Sequence, residues 1–204
     1  MSHNSSPIFA IKRHRIEIDG PGVRTLVGFC GCPLKCVYCI NPQCQDLKGH
    51  SLWTPRRLLE FVKIDSIYFE ATNGGITFGG GEPGLYLNFI RDFRSLCPSQ
   101  WSLAIETSLN YNDKILASLM EIIDYYIIDI KDMSETIYKD YTTKDNSQVL
   151  NNLRLLSINK IQDKCLIRIP FIPNFNSQQN IEYSINQIKN MGFTNIDVFN
   201  YRLK

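Results

Sequence analysis

Residues 25–39 read Thr25-Leu-Val-Gly-Phe29-Cys-Gly-Cys32-Pro-Leu-Lys-Cys36-Val-Tyr-Cys39, an apolar β-rich run that empties into a loop of cysteines. A short, nearly continuous apolar run fits a strand buried on both faces, as in a parallel sheet. Five further strands are expected at Ile76–Phe78, Ser102–Glu106, Tyr125–Asp129, Leu166–Pro170 and Ile196–Phe199. Amphipathic stretches separate them, which is the pattern of βαβ units. Thr54-Pro55 reads as an N-cap with proline at the first helical position, and Asn112-Asp113 precedes Ile115, Leu116 and Leu119. Ser177 opens a stretch carrying Ile181, Ile185, Ile188 and Met191 on one face before Gly192. Asp140–Gln148 is polar enough for an exposed loop. Periodicity does not separate a flat doubly wound sheet from a curved, incomplete barrel. Position does: Cys32, Gly80–Glu82, Glu106, Asp129 and Arg168 are read as lying at or just past the C-terminal ends of the expected strands, and one face collecting them favours a barrel-like funnel.

The 204 residues suit a single domain spanning 1–204, and 44% apolar with 21% charged residues is ordinary for a globular chain. A net charge of +2 provides no broad basic footprint for nucleic acid. Neither a signal-peptide run nor a membrane span is legible, so a cytoplasmic setting with reduced thiols is expected.

Seven cysteines, five of them between 30 and 44, suit metal or redox chemistry better than a disulfide framework. Cys32, Cys36 and Cys39 form a CxxxCxxC spacing whose thiolates can converge on one iron–sulfur cube, leaving an iron open for a small molecule. The competing reading is half a zinc site or a dithiol pair. Zinc lacks a second half, because Cys97 and Cys165 are isolated and the three histidines show no paired spacing; a dithiol leaves Cys32 unexplained.

Thr77-Phe-Gly79-Gly80-Gly81-Glu82-Pro83 ends a strand in three glycines, either for close approach of a ligand, with Glu82 accepting from an ammonium, or for a tight turn. Alternation puts Asp129 and Lys131 on one side of their strand, as a site or as a structural ion pair. Arg168, the charge within an apolar strand, needs an anionic partner.

Ile18-Asp19-Gly-Pro-Gly-Val-Arg24-Thr25, the cysteine segment, Gly80-Gly81-Glu82-Pro83, Ile128-Asp129-Ile130-Lys131 and Arg168-Ile169-Pro170 stand in an order that resembles the radical S-adenosylmethionine superfamily. The likeness is to its small activating enzymes of the pyruvate formate-lyase type. It implies an α/β fold, a partial (β/α)6 TIM-like barrel with parallel strands. It further implies a [4Fe–4S] cluster on Cys32, Cys36 and Cys39, with S-adenosylmethionine on the open iron. Reductive cleavage then gives a 5′-deoxyadenosyl radical that abstracts hydrogen from a glycine of a partner glycyl radical enzyme, with an electron donor such as flavodoxin or ferredoxin.

By the same resemblance Gly80, Gly81 and Glu82 hold the methionine amino end, and Tyr38 and the backbone of Ile40 lie against adenine. Asp129 and Lys131 meet ribose and carboxylate, Glu106 stands near the methionine moiety, and Arg168 answers the cofactor carboxylate. Asp19 and Arg24 face the substrate opening. Three positions depart from the pattern: Ile40 where histidine is frequent, Asn174 where glycine is usual, and Arg202 at a ribose-contacting histidine. Alternatives that share some of these residues are a radical enzyme acting on a peptide or small molecule and a zinc-stabilised binding module.

Overall fold

The structure, a computed structural model, describes residues 5–47 and 50–201. Its strands are β1 (Ser6–Ile16), β2 (Val23–Phe29), β3 (Ser51–Trp53), β4 (Gly75–Gly80), β5 (Ser102–Thr107), β6 (Tyr125–Asp129), β7 (Cys165–Phe171) and β8 (Ile196–Asn200). They form one sheet in the order β3-β1-β2-β4-β5-β6-β7-β8. β2–β4, β4–β5 and β7–β8 pair in parallel. All six expected strands are present. The expectation of parallel strands alone needs correction, because β1 pairs antiparallel with β2 and with β3.

β1 escapes the sequence reading because Lys12-Arg13-His14-Arg15 breaks its apolar alternation, and its register with β2 shifts between Lys12 and Arg15, where His14 adopts φ 57°. A buried carboxylate anchors that irregular stretch. Asp65 accepts from Arg13 Nε at 2.7 Å and Nη2 at 2.5 Å, and lies 2.9 Å from His14 Nε2. Burial pushes the Asp65 carboxyl up, but the hydrogen bonds from Arg13 and His14 outweigh it and the net shift is downward. A carboxylate depressed by folding adds stability above its unfolded pKa, near 3.9, and loses it as pH falls through the folded value. Asp65→Asn is therefore expected to lower the denaturation midpoint at pH 7, with the gap to wild type closing below about pH 4; a pH series of thermal melts checks it.

The helices are α1 (Pro55–Val62), α2 (Ser66–Thr72), α3 (Leu87–Leu96), α4 (Asp113–Met120), α5 (Glu135–Thr142), α6 (Ser147–Ile158) and α7 (Gln178–Asn190). The expected caps form: the Thr54 hydroxyl accepts from Arg57 N–H, and Ser177 with Asn180 makes a capping box. The exposed loop expected at Asp140–Gln148 shrinks to residues 143–146, since Asp140–Thr142 closes α5 and Ser147 opens α6. Tyr138, Tyr141 and Thr142 are buried on one face of α5 while Lys139 and Asp140 point out, so a polar composition hid a helical stripe.

Backbone contacts divide the chain into two compact units. The first holds residues 1–32, 41–106 and 117–126, and the second residues 33–40, 107–116 and 127–204. In the first, Phe29 stacks on Tyr86 at 4.6 Å and meets Phe89 edge-on at 5.3 Å, with Phe78 against Phe93. The core of the second is Tyr138, Leu153, Leu156, Ile167, Ile169, Ile188 and Phe193, all with 1% or less of their surface exposed.

Candidate functional site

β2 ends at Phe29, and the carbonyls of Phe29, Cys30 and Gly31 are all engaged. Gly81 N–H donates to Phe29 C=O at 2.8 Å, the Tyr86 hydroxyl to Cys30 C=O at 2.7 Å, and Glu82 N–H to Gly31 C=O at 2.8 Å. Gly31 N–H in turn donates to Cys44 C=O at 2.6 Å. The approach to Cys32 is thus a fixed backbone rather than a loose loop. The glycine run makes this possible: a Cβ on Gly81 would stand 2.1 Å from Gly31 O, and one on Gly80, at φ 95°, 2.8 Å from Gly28 Cα. What the glycine run admits at close range is the protein's own cysteine loop, and a turn follows it at Pro83–Tyr86.

Glu82 is fully buried, and one carboxylate oxygen accepts from Gly84 N–H at 3.2 Å, capping the turn at 83–86. Glu106 lies over β4, where a Cβ on Gly79 would stand 3.1 Å from its Oε2. Asp19 forms a two-bond pair with Arg15, at 2.6 and 3.1 Å, and its carbonyl accepts from the Thr77 hydroxyl at 2.6 Å. Arg24, expected to face a substrate opening, is instead fully buried near the start of β2, at the end away from the cysteine loop.

In the second unit the cysteine loop continues along α5, with Lys35 N–H donating to Thr142 C=O at 3.0 Å and Val37 N–H to Tyr141 C=O at 3.1 Å. Cys39 N–H closes on Cys36 C=O at 3.2 Å. Burial raises the Cys36 thiol, Lys131 pulls it down, and Asp129 and Cys39 raise it again. Lys131, 8% exposed, pairs with Asp129 Oδ2 at 2.5 Å. Burial works against its ammonium, but Asp129 and Cys36 together hold its pKa above the ordinary lysine range. The other Asp129 oxygen, Oδ1, is buried with no hydrogen-bond partner among the described residues. An acceptor left so costs free energy until a donor arrives, so it is a place for a hydroxyl or ammonium of a bound molecule.

Aromatic rings stand around the same residues. Tyr38 meets Phe175 edge-on at 5.8 Å and Tyr201 at 6.4 Å, and Tyr141 meets Phe175 at 5.0 Å. Tyr141, Phe175 and Tyr201 were not legible as site residues, since each sits in a different segment and no short spacing joins them. Asn174 has φ 67°, the left-handed conformation for which glycine is the usual residue and asparagine the best substitute. Its amide donates to the Tyr38 hydroxyl at 3.4 Å. Asn174→Gly is expected to leave stability within about 0.5 kcal/mol while broadening the ring orientation of Tyr38, which side-chain relaxation measured by NMR would detect.

Arg168 lies in the middle of β7 rather than at its end, with Asp197 Oδ2 3.6 Å from its Nε and the Phe199 ring 4.5 Å below its guanidinium. The anion it requires is therefore supplied by β8. Ile40 is 62% exposed, and Arg202 lies outside the described residues. None of the seven cysteines is in a disulfide; Cys30, Cys44, Cys97 and Cys165 are buried, whereas Cys32, Cys36 and Cys39 are only half-buried. Among the described residues no three His, Cys, Asp or Glu side chains gather closely enough to hold a single metal ion. Cys32, Cys36 and Cys39 offer three half-buried soft donors within eight residues, the donor chemistry that suits an iron–sulfur group. No helix among the described residues is long and apolar enough to cross a membrane.

Comparison with known proteins gives the same direction. The family profile described as the radical SAM superfamily matches residues 26–183. The pyruvate formate-lyase-activating enzyme of Clostridium pasteurianum is 34% identical over 184 residues, covering 87% of this chain and 76% of that protein. The (2S)-3-sulfopropanediol dehydratase activating enzyme of Klebsiella oxytoca is 29% identical, covering 92% and 79%. Among solved structures, anSMEcpe with bound AdoMet superposes with a TM-score of 0.63 at 20% identity, covering 83% of this chain and 49% of that one. The fold it shares is the partial barrel.

Proposed function

Because the chain belongs to the radical S-adenosylmethionine superfamily, we propose that it is an activating enzyme that installs a glycyl radical on a larger partner enzyme. The observation that carries this reading is the buried Asp129 Oδ1, unpartnered among the described residues, beside the Lys131 ammonium and the Cys36 thiol, in a chain similar over most of its length to two activating enzymes. Cys32, Cys36 and Cys39 would hold a [4Fe–4S] cluster, and Asp129 and Lys131 would meet the polar groups of S-adenosylmethionine. When bound, the two supply a one-electron reductive cleavage of the sulfonium, the source of a hydrogen-abstracting carbon radical.

The chain's own residues hold, orient and shield. The pinned carbonyls of residues 29–31 fix where Cys32 begins, and the α5 carbonyls fix Cys36. The positive charge of Lys131 opposes the upward push that burial gives the Cys36 thiol. Asp129 Oδ1 is free to accept from a ribose hydroxyl or an amino group. Tyr38, Phe175 and Tyr201 provide flat apolar faces suited to a purine, and such walls also keep water from a reactive radical.

Anaerobically iron-reconstituted and reduced protein given S-adenosylmethionine is expected to release 5′-deoxyadenosine. Co-incubation with a glycyl radical enzyme is then expected to produce a glycine-centred doublet in the electron paramagnetic resonance spectrum. Cofactor cleavage with no doublet on any such partner, but turnover of a peptide or small molecule, would replace this reading with the second. A folded, iron-loaded protein that cleaves nothing would sink both.

A further inference from the structure

Apart from the carbonyls that fix Cys36, the turn between α5 and α6 takes no part in the roles above, yet both its ends, Thr142 and Asn146, are buried polar residues. Tyr141 and Thr142 end α5, where carbonyls lack intrahelical donors. Their donors come from the cysteine loop: Val37 and Lys35 N–H, on either side of Cys36. The Thr142 hydroxyl donates to Tyr138 C=O at 2.7 Å and accepts from Lys144 N–H at 3.2 Å. The chain then passes through Thr143 at φ 68°, a left-handed conformation that is costly for a β-branched residue. Three residues later Asn146, 4% exposed, donates its amide to Met133 C=O at 3.0 Å.

Met133 stands two residues beyond Lys131. Its N–H donates to the Ser184 hydroxyl on α7 at 3.2 Å, and neighbouring Asp132 accepts from Ser134 N–H at 2.8 Å and from the Asn176 amide at 3.2 Å. One end of the turn therefore grips the Cys36 segment and the other the segment that follows Lys131. Strained backbone persists only where its surroundings over-determine it, and these surroundings are two segments of the candidate site.

We propose that the turn Thr142–Asn146 is a positioning element that sets the Cys36 segment against the Lys131 segment, with Asn146 as its positioning residue. The inference rests on the proposed function in taking both segments as cofactor-holding. Lys131 and Cys36 stand on separate backbone segments, and each segment keeps its place only while the hydrogen bonds to the turn hold it. Groups behind the direct ligands of a metal typically alter its affinity 10–100-fold when removed. Asn146→Ala leaves the Met133 carbonyl without its donor and frees residues 131–133 to shift.

The test uses the full chain, iron-reconstituted, with two readouts: the S-adenosylmethionine concentration at the midpoint of the spectral change of the reduced cluster, and the rate of iron loss to a chelator. In Asn146→Ala the midpoint is expected to rise roughly tenfold, with faster iron loss. Leu156→Val, which thins the buried face of α6 without touching the turn, is expected to melt lower and leave both readouts unchanged. If Asn146→Ala does not fold, Thr142→Val keeps the side-chain shape, removes the hydroxyl links and is expected to move the same readouts. A folded Asn146→Ala protein, or failing that Thr142→Val, with wild-type midpoint and iron loss overturns the positioning role alone. Wild-type protein that takes up no iron, or whose cluster ignores S-adenosylmethionine, overturns the proposed function and the positioning role with it.

Discussion

Replacing Cys36 by Ala is expected to reduce S-adenosylmethionine cleavage to background while leaving the fold intact. Two features separate the effect on chemistry from the effect on stability. Cys36 is on a loop and only half-buried, so a truncated side chain leaves no sealed cavity. The loop's shape is held by main-chain bonds from Lys35 and Val37 to the α5 carbonyls, which alanine preserves. What alanine removes is one of three thiolates, and two do not supply the donors that a cluster with a single open iron requires. Cys165→Ala is the control. That thiol is fully buried, burial pushes it up to about 12, and it is expected to cost stability without lowering iron content. Iron analysis, thermal melts and 5′-deoxyadenosine release on the same preparations check all three statements. A Cys36→Ala protein that retains cleavage would refute the cluster assignment.

The second large effect is expected far from those thiols. Arg24→Met should destabilise the protein by about 3–5 kcal/mol, because it strands several buried acceptors at once. The Arg24 guanidinium donates to Thr77 Oγ1 at 2.6 Å, to Ile76 C=O at 2.7 Å, to Ser102 C=O at 2.9 Å and to Pro21 C=O at 3.0 Å. One side chain thereby ties the entrance of β2 to β4, β5 and the turn that precedes it. Burial pulls its pKa down to about 10, against the raising effects of Asp124 and Asp19, so it stays charged at neutral pH. Arg24→Lys is expected to recover only part of the loss, since an ammonium lacks the planar fork that reaches these acceptors together. Denaturant titration of the three proteins checks the order wild type, Lys, Met.

Arg24 also shows why part of the site reading failed. Its place in Asp19-Gly-Pro-Gly-Val-Arg24 marks it in the sequence, but whether a marked arginine faces a ligand or the interior depends on Thr77 and Ser102, more than fifty residues away. Glu82 is similar: the resemblance assigns it to a ligand's amino end, and the structure adds a capping bond to Gly84 N–H that only the bent backbone creates. The run Lys12–Arg15 reads as too charged for a strand, yet Asp65 from a distant turn neutralises part of it.

The sequence by itself determined six of the strands, the helix caps at Thr54 and Ser177, and the cysteine spacing, because each depends on neighbours within a few residues: apolar runs bury, Ser and Thr side chains cap, and three thiolates on one short loop can meet one group. Only the tertiary structure decided that β1 and β3 join the sheet antiparallel, that Tyr141, Phe175 and Tyr201 stand with Tyr38, that Asp129 keeps a buried oxygen without a donor among the described residues, and that Asn146 reaches Met133. These depend on which distant segments share a hydrogen bond or a packed face. No local pattern carries that information, because the partners' chemistry is common and only their juxtaposition is specific.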